Sequence, residues 1–275
     1  MDVFAAFIAP ALAGVFVGVM SGLLGVGGGT IMVPIFRLAF GMSPLASTAT
    51  SLFAIIPTSI SGVVAHTRAK TCVPRLGLAL GVGGAVMSPV GVWLASVSPG
   101  WLVICVAAVV IGFSAFKMFK KAVKCAPARR AGATSAHSAT PKPVPDQPVL
   151  SHKQYLQGAC IGLIAGLASG YVGVGGGFIM VPLMLAILDI PMSLASGTSL
   201  IAIMILAIPG VIEQGLLGNI DYLAGVAIVV GSIPGALVGA RLVRVVPERQ
   251  LRFIFGGFLL VAAVMLMLNE FGILG

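Results

Sequence analysis

Charged residues punctuate this chain at wide intervals, and between them lie long apolar runs. Uncharged stretches extend from Val3 to Phe36, Leu38 to Thr67, Leu76 to Phe116, Gln154 to Leu188, Ile190 to Ile212, Tyr222 to Ala240 and Phe253 to Asn269. A helix needs about 20 apolar residues to cross the hydrocarbon core of a bilayer, so each stretch is long enough for a span or a pair of spans. Leu76 to Phe116 is predicted to hold two, turning at Ser98-Pro99-Gly100. Transmembrane β-strands would alternate apolar and polar positions over about ten residues, and no such alternation appears. The expected class is an all-α polytopic membrane protein.

The pattern repeats. Residues 22 to 36, GLLGVGGGTIMVPIF, return as residues 170 to 184, GYVGVGGGFIMVPLM, with ten of fifteen letters identical. The offset of 148 also matches Gly14 with Gly162, Gly18 with Gly166, Thr50-Ser51-Leu52 with Thr198-Ser199-Leu200, Gly62 with Gly210 and Gly91 with Gly239. A repeat that long is two related halves rather than a solenoid unit. Residues 1–124 form one transmembrane repeat, 125–152 a linker and 153–275 the second repeat. The linker carries Pro127, Pro141, Pro143, Pro145 and Pro148 among Ala, Ser and Thr. It holds too little apolar surface to fold.

Composition agrees, with 59% hydrophobic and 8% charged residues among 275 and a mean hydropathy of +1.13. The net charge of +9 does not point to nucleic acid, because Lys117 to Lys153 holds eight bases and one acid, or +7 of it. Basic residues favour short cytoplasmic loops, so the linker and the loop with Arg68, Lys70 and Arg75 are expected inside. In the second half the matching loop, Glu213 to Asp221, is acidic, and the bases move to Arg241, Arg244, Arg249 and Arg252. The halves are therefore expected to have opposite orientation, an inverted-topology repeat of four helical segments each, eight in total, with both termini outside. Asp2 and the lack of Lys or Arg before Arg37 argue against a cleaved signal peptide. Arg37, Asp189, Arg241 and Arg244 are expected as interfacial anchors, with Trp93, Trp101 and Tyr222 in the aromatic belt.

Inversion requires an odd number of crossings per half, and three spans follow each glycine motif. Val3 to Phe40 and Tyr155 to Asp189 are thus each predicted to be a helix that breaks near mid-membrane and returns as a half-helix. Gly27, Gly28 and Gly29, with Gly175, Gly176 and Gly177, form the breaks. Pro34 and Pro182 are expected in the first turn of each returning helix. A helix N-terminus offers free N–H groups and the positive end of the macrodipole, so two that converge make an anion cradle without a buried cation. Gly27, Gly28, Gly29, Thr30, Gly175, Gly176 and Gly177 are the candidate substrate-binding residues. Thr50, Ser51, Thr198 and Ser199 are candidate hydroxyl donors, against the alternative that they bond the carbonyl one turn back. Gly14, Gly18, Gly22 and their counterparts suit close helix packing. His66 and Gln214, at matched span ends, and Glu213 are candidates for a gate or proton relay, against plain loop or interface duty.

No P-loop lysine follows GVGGGT, and no HExxH or GxSxG motif occurs, so nucleotide binding and hydrolysis have no site. Cys72, Cys105, Cys125 and Cys160 form no CxxC pair and have no nearby His, and neither metal nor cofactor is expected. No enzyme activity is expected.

The doubled GxxGxGGGxIxVP, the Thr-Ser-Leu motif after it and the long basic linker resemble the TauE/SafE sulfite exporter family. That resemblance implies an eight-helix permease of the bacterial plasma membrane that moves sulfite or organosulfonates. Two departures between the halves, Thr48-Ala49-Thr50 against Ser196-Gly197-Thr198 and Val73-Pro74 against Asp221-Tyr222, point to a site polarised toward one side. The expected partners are a small anion, membrane lipid and protons as coupling ion, with homodimerisation left open. A passive anion channel and a non-transporting scaffold are the alternatives.

Overall fold

A computed structural model describes residues 7–124 and 151–270, and the linker residues 125–150 lie outside it. Among the described residues there are helices and turns but no strand. The helices are α1 (Ala9–Leu24), α2 (Gly29–Leu38), α3 (Pro44–Arg68), α4 (Pro74–Val97), α5 (Gly100–Lys124), α6 (His152–Val172), α7 (Gly177–Leu183, continued by a π-helix Met184–Leu188), α8 (Met192–Leu216), α9 (Tyr222–Leu242) and α10 (Glu248–Glu270). Six of them are long and apolar enough to cross a membrane.

Local chemistry sets the boundaries. Ser43 caps α3 by accepting from the Ala46 amide, with Pro44 in the first turn, where a missing N–H is harmless. Ser151 and Gln154 form a capping box on α6, and the Asp221 carboxylate caps α9 through the Ala224 amide. The two glycine motifs interrupt the helices as the sequence predicts: α1 stops at Leu24 and α2 starts at Gly29, and α6 stops at Val172 and α7 starts at Gly177. The prolines differ from expectation. Pro34 and Pro182 each stand at the sixth helical position rather than in the first turn. A proline there removes one backbone bond and crowds the carbonyl four residues back, and α7 turns into the π-helix just beyond its proline.

The two halves interlock. The first helix of each half packs along the fourth helix of the other, α1 on α9 and α6 on α4. Gly14, Gly18 and Gly22 lie on the backbone of Ile228, Ser232 and Ala236, and Gly162, Gly166 and Gly170 lie on Leu80, Gly84 and Ser88. A methyl added at Gly166 would fall 2.6 Å from the Gly84 carbonyl carbon. These outer glycines serve close packing, as small residues do between membrane helices. Both of these pairs run parallel, whereas α3 and α8 run antiparallel, with Gly62 against Leu200 and Gly197 against His66. The centre holds Phe36, Phe178, Met32, Met180 and Ile55, all fully buried.

Candidate functional site

Each break is built the same way. Gly25 ends α1 in a left-handed conformation and gives its N–H to the Ser21 carbonyl (2.8 Å); Gly173 ends α6 likewise on Ser169 (2.7 Å). Gly28 (φ 85°) and Gly176 (φ 69°) then turn the chain back into α2 and α7, a geometry that residues with a Cβ rarely adopt. The Gly28 carbonyl accepts from Ile31 and Met32, and the Gly176 carbonyl from Ile179 and Met180. Among the described residues, the amides of Gly29, Thr30 and Phe178 have no acceptor, as at any uncapped helix start.

The breaks meet each other. A Cβ at Gly29 would lie 2.6 Å from the Val174 carbonyl oxygen, and one at Gly177 would lie 2.6 Å from that of Gly25 and 2.8 Å from the Val26 Cα. Between them stand two matched isoleucines. Ile55 Cδ1 lies 2.6 Å from where a Cβ on Gly29 would stand and 2.9 Å from one on Gly175, and Ile203 lies 2.6 Å from where a Cβ on Gly177 would stand and 2.8 Å from one on Gly27. In this conformation aliphatic side chains fill the meeting point.

The Thr and Ser pairs staple one half to the other. The Ser51 hydroxyl donates to the Gly173 carbonyl (2.6 Å), and Ser199 donates to that of Gly25 (2.7 Å). Those carbonyls lost their helical partners at the breaks, so each serine supplies the missing donor. Thr50 Oγ1 accepts from the Asp221 amide and Thr198 Oγ1 from the Val73 amide, both at 3.0 Å. Ser51, Thr198 and Ser199 also lie within donating distance of the carbonyl one turn back, Thr48 at 3.0 Å, Leu194 at 2.6 Å and Ser196 at 2.8 Å, so all four candidate hydroxyls hold backbone in place.

Other hydroxyls are unengaged. Ser21 and Ser169 are buried, occupy matched positions one turn before the breaks, and have no hydrogen-bond partner among the described residues. Thr30, in the first turn of α2, is likewise buried and unpartnered. Ser21 and Thr30 border one narrow void, walled by Met20, Val26 and Phe258 and too tight for a water. A buried polar atom without a partner costs about 1–3 kcal/mol, so three beside one feature call for an explanation. Ser21 and Ser169 were legible as a matched pair of serines four residues before matched glycines; nothing in the sequence marked their lack of a partner.

His66 is fully buried. Its Nε2 donates to the Gly22 carbonyl (2.8 Å), another acceptor freed by the α1 break, and its Nδ1 pairs with the Thr71 hydroxyl (2.7 Å). Gln214, its counterpart, takes Asn219 Nδ2 on Oε1 at 2.7 Å. The Gln214 side chain lines a cavity of about 270 Å³. Arg37, Ser43, Thr48, Leu52, Ser96 and Ser98 share that cavity, which reaches Gly170 and Val174 at the second break. Glu213 lies within α8, half-buried, rather than in a solvated loop. Arg244 bonds the Ala69 carbonyl. Burial pushes the Cys72 thiol above its ordinary range, so it carries little thiolate character. No group of three His, Cys, Asp or Glu side chains gathers among the described residues.

The sequence profile of the family described as Sulfite exporter TauE/SafE matches residues 10–266. The chain belongs to the TauE/SafE family. Relatives are named probable membrane transporter proteins: YunE of Bacillus subtilis (strain 168) is 25% identical over 86% of this chain and 89% of its own length. YdhB of the same organism is 28% identical over the same shares. MJ0441 of Methanocaldococcus jannaschii is 23% identical over 94% of each chain. No solved structure matches. Family and helices together make this a multi-pass protein of a membrane transporter family. Its matched breaks carry amides without an acceptor and buried hydroxyls without a partner among the described residues, and Ile55 and Ile203 lie between them.

Proposed function

We propose that this chain is a secondary transporter that carries a small, sulfur-containing anion, sulfite or an organosulfonate, by alternating access. The substrate is held between the two broken helices at mid-membrane. The observation that carries this reading is the meeting of two helix starts, where the amides of Gly29, Thr30 and Phe178 have no acceptor among the described residues, beside the unpartnered hydroxyls of Ser21, Thr30 and Ser169. Withholding internal partners costs stability, and an anion that takes these donors recovers it.

In this reading residues 1–124 and 153–275 are inverted-topology repeats of four segments, each broken helix counted once. The antiparallel pairing of α3 with α8, which occupy equivalent places in the two halves, supports it. The linker faces the cytoplasm and both termini face out of the bacterial inner membrane. The halves rock about the α3–α8 contact, and Ile55 and Ile203 withdraw to admit the anion. Gly27, Gly28, Gly29, Gly175, Gly176 and Gly177 shape the site, and Ser51, Ser199, Thr50 and Thr198 hold it from behind. His66 tethers the first break.

Thr30→Val tests the site. The change is close to isosteric and removes a hydroxyl that has no partner among the described residues, so folding stability is kept or raised. In proteoliposomes the account predicts saturable sulfite flux by wild type and a KM raised about tenfold in the variant. An unchanged KM would remove Thr30 from the site, and flux that never saturates would make the protein a channel.

A further inference from the structure

The cavity that reaches the second break has an equivalent place on the other side of the molecule, and there the protein is closed. Pro44, Thr48 and Val103 line the cavity and are at least partly exposed. Shifted by the repeat offset they become Met192, Ser196 and Leu251, all buried. Two halves with matched helices thus differ at matched positions: one mouth is open and the other is shut.

Polar contacts tie the shut mouth together. The Met192 amide, in the first turn of α8, donates to Glu248 Oε1 (3.2 Å) in the first turn of α10. The buried Arg252 guanidinium, one turn further along α10, donates to the same oxygen (2.6 Å) and fixes the carboxylate. Pro191 supplies no side-chain cap for α8, so this carboxylate satisfies an amide that the helix leaves free, at the positive end of its dipole. Arg244, in the turn between α9 and α10, bonds the Ala69 carbonyl just past the end of α3. The hairpin of α9 and α10 is therefore tied to both central helices, α3 with Ile55 and α8 with Ile203.

The open mouth cannot form this arrangement. Glu248 corresponds to Gly100, which has no carboxylate, and Met192 to Pro44, which has no N–H. Arg244 corresponds to Ser96, whose hydroxyl is bonded to the Trp93 carbonyl of its own helix (2.7 Å). The difference between the mouths lies in the residues as well as in the conformation.

We infer that Glu248 and Arg244 form a latch that holds one mouth shut, and that its release opens that mouth while the cavity at the second break closes. The inference deepens the alternating-access reading and rests on it, since the latch sets which face reaches the helix breaks in the resting protein. Hydrogen bonds from or to an ionised group are among the stronger ones, which gives the latch its hold. Both side chains are exposed, so water takes over either bond once the helices part, and the hold is reversible.

Thiol labelling of the full chain in lipid nanodiscs, where a membrane-impermeant maleimide reaches both faces, reads the two mouths without requiring transport. In a background with Cys72, Cys105, Cys125 and Cys160 replaced by alanine, Thr48→Cys reports the open mouth and Ser196→Cys the shut one. With the latch intact Thr48→Cys should label at least about tenfold faster than Ser196→Cys. Adding Arg244→Ala with Glu248→Ala should raise the Ser196→Cys rate about tenfold and lower the Thr48→Cys rate. Arg244→Ala alone leaves the Glu248–Arg252 pair in place and should move both rates in the same directions by less; it decides the matter if the double variant misfolds. A Ser196→Cys rate that neither variant changes would overturn the inference. So would faster labelling at both reporters together, which marks loosening rather than a switch. The expected exchange of rates upholds the latch even if wild-type protein moves no sulfite, a result that would count against the transporter reading alone.

Discussion

Replacing Ser199 and Ser51 with alanine distinguishes a hydroxyl that holds the scaffold from one that holds a substrate. In the structure each donates to a carbonyl of the opposite half, Gly25 at 2.7 Å and Gly173 at 2.6 Å. Each carbonyl sits where its helix ends and has no backbone amide to replace the lost donor. Alanine therefore removes the bond and strands a buried acceptor, which costs about 1–3 kcal/mol per site. For a chain of this length about 2–4 °C of melting temperature accompanies each kcal/mol, so each variant should melt about 2–12 °C lower. The assay is thermal melting in detergent, paired with the KM for sulfite in proteoliposomes. The reasoning requires a lowered melting temperature with KM changed less than about twofold. An unmoved melting temperature with KM raised tenfold would refute it and return both hydroxyls to the substrate.

Gly166→Val drives two methyl groups toward the Gly84 backbone and should abolish accumulation of folded protein, whereas Gly112→Ala, at a position with nothing within 4 Å, should leave it intact; membrane expression and gel filtration read both. Ile55→Ala with Ile203→Ala removes the aliphatic plug between the breaks and should raise sulfite leak through proteoliposomes at least several-fold, and an unchanged leak would show that another element seals the path.

The helix breaks were legible because three successive glycines in an apolar run have few other uses, and because the motif occurs twice at one offset. The close packing of Gly14, Gly18 and Gly22 was legible from their four-residue spacing. The use of Ser51 and Ser199 was not, because a serine two turns into a helix reads the same whether it faces a ligand or a carbonyl of the other half. That choice is made by the packing of α3 against the end of α6 and of α8 against the end of α1, contacts between distant parts of the chain. The π-helix after Pro182 escaped for a related reason: the missing amide was visible, but the way the next turn accommodates it depends on the side chains packed around it. Gln214 and His66 were readable as a matched pair, yet only the fold separates their roles, with the imidazole bonded at both nitrogens and the amide oxygen bonded by Asn219. Arg37 reads as an interfacial anchor from its place at a helix end, and the cavity beside it comes from six helices at once.

The central claim is that an anion sits against the open helix starts at the middle of the protein. A structure determined with selenite in place of sulfite, phased on the anomalous signal of selenium, tests it most directly. The account predicts a selenium peak between the two breaks, with its oxygens about 3 Å from the Gly29 and Thr30 amides and Ile55 and Ile203 displaced. Selenium found only at the lipid-facing surface, with both isoleucines still closing the gap at saturating selenite, would contradict it.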